Sequence, residues 1–276
     1  MSILLRNANR IITMKSPRCR ITTWKKFSRE VRSRGYELLT KLDNYPDSIL
    51  VTGCQRSGTT MIAKLISQSD GMANYRFGRD DELDAALILS GFVPHNQRGR
   101  YCFQTTYLNE CVHEYFDHVN GHKIIWVLRN PFSVVYSMLN NWKNFALNEL
   151  FESCSIHLLN EKEKRFYYWV GVSGIRRLKR ACLAYNGKVS QLFDLASVLK
   201  RETIMVVEYN SVVNKKDDIL PLIYKFVDMP YKPKYAEMIH TRSLKKSNLI
   251  SKKEYALIEK ICLPIYYEAK KLTSYM

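Results

Sequence analysis

Gly53, Arg56, Ser57, Gly58, Thr59 and Thr60 fall within eight residues, and their types suit one task, the holding of an anion. The glycines let backbone approach closely and the hydroxyls donate. A turn from strand into helix also aims several backbone N–H groups and a helix N-terminus at one point. From Gly53 the spacing of glycine, four residues, glycine, Thr, Thr has the length of a nucleotide-binding P-loop. Thr59, however, stands where that loop carries the lysine that reaches the β- and γ-phosphates of ATP. Arg56 instead puts positive charge into the turn itself. A second cation, Arg129, closes the apolar run Ile124–Leu128 where a magnesium-binding carboxylate would be looked for. An arginine there predicts another anion rather than a metal. Two cationic grips on separate strand ends suit a nucleotide with phosphates at two positions.

These residues need a sheet to hold them. Asn44-Tyr-Pro-Asp47 is a turn signal, and Ile49–Thr52 after it reads as a buried strand; Ile124–Leu128 and Thr203–Glu208 read as two more. A helix opens at Gly58 and stops at Asp70-Gly71; another opens on the acidic run Asp80-Asp-Glu-Leu-Asp84, where carboxylates suit the helix dipole. Pro131 suits the first position of a helix reaching Asn140. Helical spacing of apolar residues also predicts helices over 23–42, 106–119, 161–184, 190–200 and 219–227. Asn186-Gly187 would separate two of them, and a last helix over 251–272 would kink at Pro264. Residues 142–160 give no clear pattern. Strands alternating with helices place the chain in the α/β class, with a central parallel sheet flanked by helices.

The 276 residues, 46% apolar, suffice for one α/β domain over 45–276, preceded by a basic arm and amphipathic helix over 1–44 packed on it. No apolar run approaches the length of about 18 residues that suggests a membrane span, and the N-terminus lacks a signal-peptide core, so a cytoplasmic protein without a transmembrane segment is expected. Seven scattered cysteines with no Cys-x-x-Cys pair read as reduced thiols, neither a disulfide framework nor a zinc site. The net charge of +17 predicts an anionic partner. Residues 1–41 hold eleven Lys or Arg against two acids, and Arg242, Lys245, Lys246, Lys252 and Lys253 form a second basic group.

Gln55-Arg-Ser-Gly-Thr-Thr60 together with Lys123-Ile-Ile-Trp-Val-Leu-Arg-Asn-Pro-Phe-Ser-Val-Val-Tyr-Ser137 closely resembles the two cofactor motifs of the sulfotransferases that use 3′-phosphoadenosine 5′-phosphosulfate, PAPS. The resemblance spans roughly residues 49 to 250 and implies a P-loop NTPase-like sulfotransferase fold. It implies that Arg56, Ser57, Gly58, Thr59 and Thr60 wrap the 5′-phosphosulfate and that Arg129 and Ser137 hold the 3′-phosphate. Tyr209 matches a tyrosine of the family's third motif, although Asn210 replaces the glutamate after it. Arg242, Lys245 and Lys246 lie where the family supplies a further phosphate clamp, without its usual glycine pattern. No metal is required.

The general base stays open. Cytosolic members carry a histidine on the segment before the second cofactor strand; here that segment is Gln104-Thr-Thr106, with Thr106 in the histidine's place. Other branches use an acid after the first motif, which makes Glu82 and then Asp81 the candidates among Asp80, Asp81, Glu82 and Asp84. Against them stands the ordinary role of such acids at a helix N-terminus. His113, with His95 and His118, is a further candidate, and Lys64 reads as solvated. An acidic cluster in so basic a chain points to a cationic small-molecule acceptor, an amine or guanidinium compound. A bacterial-type enzyme of secondary metabolism resembling the sulfotransferases of saxitoxin-type alkaloids would fit. Two rival classes are a P-loop kinase with a degenerate lysine position and a basic nucleic-acid-binding protein. Neither accounts for Arg129 and Ser137 at their spacing.

Overall fold

Ile49–Gly53 (β1), Cys102–Gln104 (β2), Lys123–Leu128 (β3) and Ile204–Glu208 (β4) form one parallel sheet in the order β2-β1-β3-β4. The structure is a computed structural model that describes residues 20–35, 37–76, 80–118, 121–239 and 249–274. The first nineteen residues of the basic arm, and Arg242, Lys245 and Lys246 of the basic loop, lie outside the described residues. Apart from Lys123, every strand residue is buried, as a sheet covered on both faces requires. Alternate side chains feed two cores: Leu50, Phe103, Trp126 and Val206 enter one, Val51, Cys102, Val127 and Val207 the other.

The smaller core is closed by α2 (Thr59–Ser67), α9 (Tyr209–Asn214) and α10 (Lys216–Phe226). The larger one is closed by α1 (Trp24–Ser33), α3 (Asp81–Leu89), α4 (Glu114–His118), α5 (Pro131–Asn140) and α6 (Asn144–Cys154), with α8 (Arg177–Val198) and α11 (Lys252–Lys270). Helix α7 (Glu161–Val170) lies at the surface. Among the described residues no helix is long and apolar enough to cross a membrane.

The order of the strands places the site. From β1 the chain moves to β2 on one side, and then returns to β3 on the other side of β1. Neighbouring strands whose connections depart in opposite directions leave a crevice at their carboxyl ends. Here those ends are Gly53 and Leu128. Gly53 has φ +139°, and a Cβ there would lie 2.4 Å from the Val127 carbonyl oxygen, so only glycine lets β1 finish this close to β3.

Several boundaries differ from the sequence expectation, each for a tertiary reason. The helix expected over 23–42 ends at Ser33, and the N–H groups of Leu38 and Leu39 turn to the buried Glu114 carboxylate at 2.8 and 2.7 Å. Of the described residues in 106–119, only Glu114–His118 is helical. Earlier carbonyls there are claimed by side chains: Thr106 O by Gln55 Nε2, Leu108 O by Lys188 Nζ, Asn109 O by Gln191 Nε2. The stretch expected as one helix over 161–184 breaks at Gly171, whose φ of +73° caps α7. Conversely, Asn186-Gly187 lies inside the continuous helix α8. Helix α11 continues through Pro264.

Gly187 belongs to packing, because a Cβ there would lie 2.0 Å from the Cys154 carbonyl oxygen of α6. Gly187→Ala is therefore expected to destabilise the protein by about 2–3 kcal/mol despite alanine's better helix propensity, measured as a lower urea midpoint. An unchanged or raised midpoint would refute this account of the α6–α8 contact.

Candidate active site

The turn that follows β1 is built to point inward. Ser57 N–H donates to Cys54 O at 3.0 Å, and Gly58, with φ +100°, opens α2 by accepting from the N–H groups of Met61 and Ile62. A Cβ on Gly58 would lie 2.2 Å from the Tyr209 ring, so glycine is required by both backbone and neighbour. Arg56 is left-handed at φ +73°, an arrangement that costs a non-glycine residue about 1 kcal/mol or more. It turns the guanidinium toward α5, where Nε donates to Ser137 Oγ at 3.0 Å. Ser57 Oγ is wholly buried and has no hydrogen-bond partner, an orphan donor at the floor of the turn.

Arg129 comes from the end of β3. Asn130 caps α5 by accepting from Phe132 N–H at 2.9 Å, and Pro131 fills the first helical position, so the chain leaves β3 in a fixed direction. The Arg129 guanidinium lies 4.2 Å over the Tyr209 ring and donates from Nη1 to the Arg56 carbonyl at 3.3 Å. Tyr185 OH donates to the Arg129 carbonyl at 2.9 Å. Only 4% of Arg129 is exposed, and burial lowers its pKa from the usual arginine value. Arg56, Ser137 and Arg129 thus line one concavity, with Tyr209, from a third connection of the sheet, backing Arg129.

Beside this cradle stands a carboxylate. Glu82, on the first turn of α3, accepts from the Thr106 hydroxyl at Oε1 and from Gln104 Nε2 at 3.3 Å. The same Gln104 amide donates to Thr59 Oγ1 at 3.2 Å, so one side chain ties the carboxylate to the cradle. Gln55 Nε2 holds the far side through Thr106 O and Asn109 Oδ1, both at 2.9 Å. Burial pushes the Glu82 carboxyl up to about 8, helped by the Asp80 carboxylate and opposed by Lys188 and Arg56. Cradle and carboxylate open into one cleft of about 770 Å³, whose remaining walls include Trp24, Tyr107, Trp142 and Glu149.

A sulfotransferase domain from the curacin biosynthetic pathway superposes with a TM-score of 0.50 at 13% identity, over 84% of this chain and 99% of that one. The mouse sulfotransferase SULT7A1, solved in complex with PAP, gives 0.50 at 15% identity, over 85% and 93%. The fold is that of the sulfotransferases. No protein-family model matches the sequence, and no curated protein matches it significantly. The likeness is therefore one of fold.

Within this sulfotransferase fold the structure brings together Arg56 to Thr60, Arg129, Ser137, Tyr209 and Glu82. Asp81 lines the cleft but is held by Lys64 at 3.3 Å and Arg76 at 3.4 Å, so Lys64 is ion-paired rather than solvated alone. Asp80 caps α3, accepting from the N–H groups of Glu82 and Leu83, and takes Trp24 Nε1 at 3.4 Å. His113 is exposed and outside the cleft lining, and buried His95 is not among the lining residues either. Sequence reasoning missed Gln104 as the link between Thr59 and Glu82, although the motif position of Thr106 was visible. It also missed Glu149, which lies in the unpatterned stretch 142–160 and accepts from Ser28 Oγ of α1.

Proposed function

We propose that the chain is a PAPS-dependent sulfotransferase that moves a sulfuryl group to a hydroxyl, amine or guanidinium nitrogen of a small molecule of secondary metabolism. The observation that carries this reading is the convergence of Arg56, Ser137, Arg129 and Tyr209 at the carboxyl ends of β1, β3 and β4. The orphan Ser57 hydroxyl and the cation pair fit a doubly phosphorylated nucleotide, and the mouse structure with PAP bound supports that identity. When bound, PAPS would supply the sulfuryl group and leave as adenosine 3′,5′-bisphosphate.

The chain's own residues then have separate tasks. Arg56 and the amides of Ser57 to Thr60 bind the 5′ end and stabilise negative charge on the leaving oxygen. Arg129, with its face on Tyr209, and Ser137 bind the 3′-phosphate. Glu82 takes the proton of the attacking acceptor, oriented by Thr106 and Gln104. Asp81, fixed between Lys64 and Arg76, holds the α3 turn beside the cleft. Six described cysteines are buried free thiols, which supports a reducing, cytoplasmic location.

The acceptor is a cation in this reading. Asp80, Glu82 and Glu149 share the cleft with Trp24, Tyr107 and Trp142, and acids interleaved with aromatic faces suit an ammonium or guanidinium group. Incubation with PAPS and matched acceptors, cationic and neutral, followed by mass spectrometry, tests the reading. Sulfated amine or guanidinium products are expected. Glu149→Gln should raise KM for them about tenfold while leaving a neutral acceptor unchanged. Equal effects on both acceptors would discard the cationic preference. Turnover of ATP with magnesium, and none of PAPS, would replace the whole reading by a kinase.

A further inference from the structure

Among the described α-helices, α7 alone buries none of its residues. Its first half is charged, Glu161-Lys-Glu-Lys-Arg165, and its second half is aromatic, Phe166-Tyr-Tyr-Trp169. Trp169 is 82% exposed, Tyr168 75% and Phe166 45%, with the Phe166 and Trp169 rings 6.4 Å apart. Scattered single exposed aromatics need no explanation, but here Phe166 and Trp169 stand side by side and Tyr168 is exposed on the other side of the same helix end, which leaves that end apolar toward water.

Most of the unpaired charges around that helix end are positive, although the exposed Glu152, which accepts from Tyr167 OH of α7 at 3.3 Å, is an acid among them. Glu161 is paired with Lys164, Glu163 with Lys179, and Glu254 closes the capping box of α11 on Ser251. Lys162, Arg165, Arg176, Lys253 and Lys260 are exposed and in no ion pair among the described residues. Phe166, Arg176, Lys253 and Lys260 line the same surface hollow between α7, α8 and α11. Tyrosine and tryptophan, apolar in body and polar at the tip, settle at the boundary between headgroups and acyl chains, and nearby lysine and arginine are drawn to anionic lipid. A second copy of the chain would bring the same basic rim against itself. The basic helix α1 offers no such face, because Phe27 and Val31 are buried in the core.

We propose that the tip of α7 docks the protein on an anionic membrane surface, with Phe166, Tyr168 and Trp169 entering the interface and Arg165, Arg176, Lys253 and Lys260 on the headgroups. The docking is peripheral and independent of the cleft.

The test is co-sedimentation of the full chain with phosphatidylcholine vesicles, with and without about 30% phosphatidylglycerol. Binding only to the anionic vesicles, weakened by salt, is expected. The double variant Tyr168→Ala, Trp169→Ala should lower partitioning about tenfold or more. Arg165→Glu with Arg176→Glu should lower it similarly, because it reverses the charge facing the headgroups. All four side chains are exposed, so circular dichroism should show each variant folded, and Trp169→Phe should retain most of the binding. No binding of the wild type to anionic vesicles would overturn the proposal. So would undiminished binding of the aromatic variant, which would assign any attraction to the basic arm. A dimer, or retention on RNA, that disappears with Trp169→Ala would give the face to another partner and equally overturn it.

Discussion

Arg129→Ala is expected to lower the affinity for adenosine 3′,5′-bisphosphate by about two to three orders of magnitude, the usual cost of truncating one side of a buried charged contact. The size follows from the position. Arg129 is almost fully enclosed, its guanidinium is fixed against Tyr209, and its backbone carbonyl is held by Tyr185. A cation arranged in this way before binding loses little side-chain entropy when a phosphate arrives. The variant also removes the donor to the Arg56 carbonyl, so part of the loss will come through the left-handed turn. Arg129→Lys separates the two effects: it keeps charge but not the planar fork, and an intermediate affinity is expected. Titration calorimetry measures both variants, with circular dichroism as the control for folding. Wild-type affinity in Arg129→Ala would remove the residue from the phosphate site.

The second large effect is on turnover. Glu82→Gln should reduce kcat by about 10²-fold to 10⁴-fold with little change in nucleotide affinity, because the amide keeps the shape and still accepts from Thr106 but cannot take a proton. Steady-state kinetics gives the measurement. A loss confined to KM would make Glu82 a binding residue instead. The pH profile offers an independent check. Burial, and then the Asp80 carboxylate, hold the Glu82 carboxyl at about 8. The base works only when ionised, so kcat/KM should rise with pH and level off above about 8. Asp80→Asn removes the repulsion but preserves a capping side chain, and should move that rising limb to lower pH. An unmoved limb would place the titrating group elsewhere.

Much of this site was readable because its residues are local to strand ends. The Gly53 to Thr60 turn and Arg129 with Ser137 each occupy one continuous stretch, and P-loop spacing and a proline-opened helix are short-range signals. Buried apolar runs likewise announced β1, β3 and β4. The three-residue strand β2 gave no such signal, yet it places Gln104 between Thr59 and Glu82. That contact spans 45 residues in one direction and 22 in the other, which no local pattern encodes. Gly187 misled for a related reason. Asn-Gly is ordinarily a turn, but the close approach of α6 to α8 makes this glycine a packing residue inside a helix. Lys64 remains partly solvated, as its place in the helix suggested, but its ion pair with Asp81 at 3.3 Å joins two separate segments and had no local signal.

Titration calorimetry of the wild-type chain with adenosine 3′,5′-bisphosphate, beside adenosine 5′-monophosphate and magnesium ATP, bears most directly on the two-handed cradle. Saturable binding of the bisphosphate at one site is predicted, with much weaker binding of the monophosphate, which leaves Arg129 and Ser137 without their phosphate. No binding of the bisphosphate, or a preference for magnesium ATP, would contradict the account.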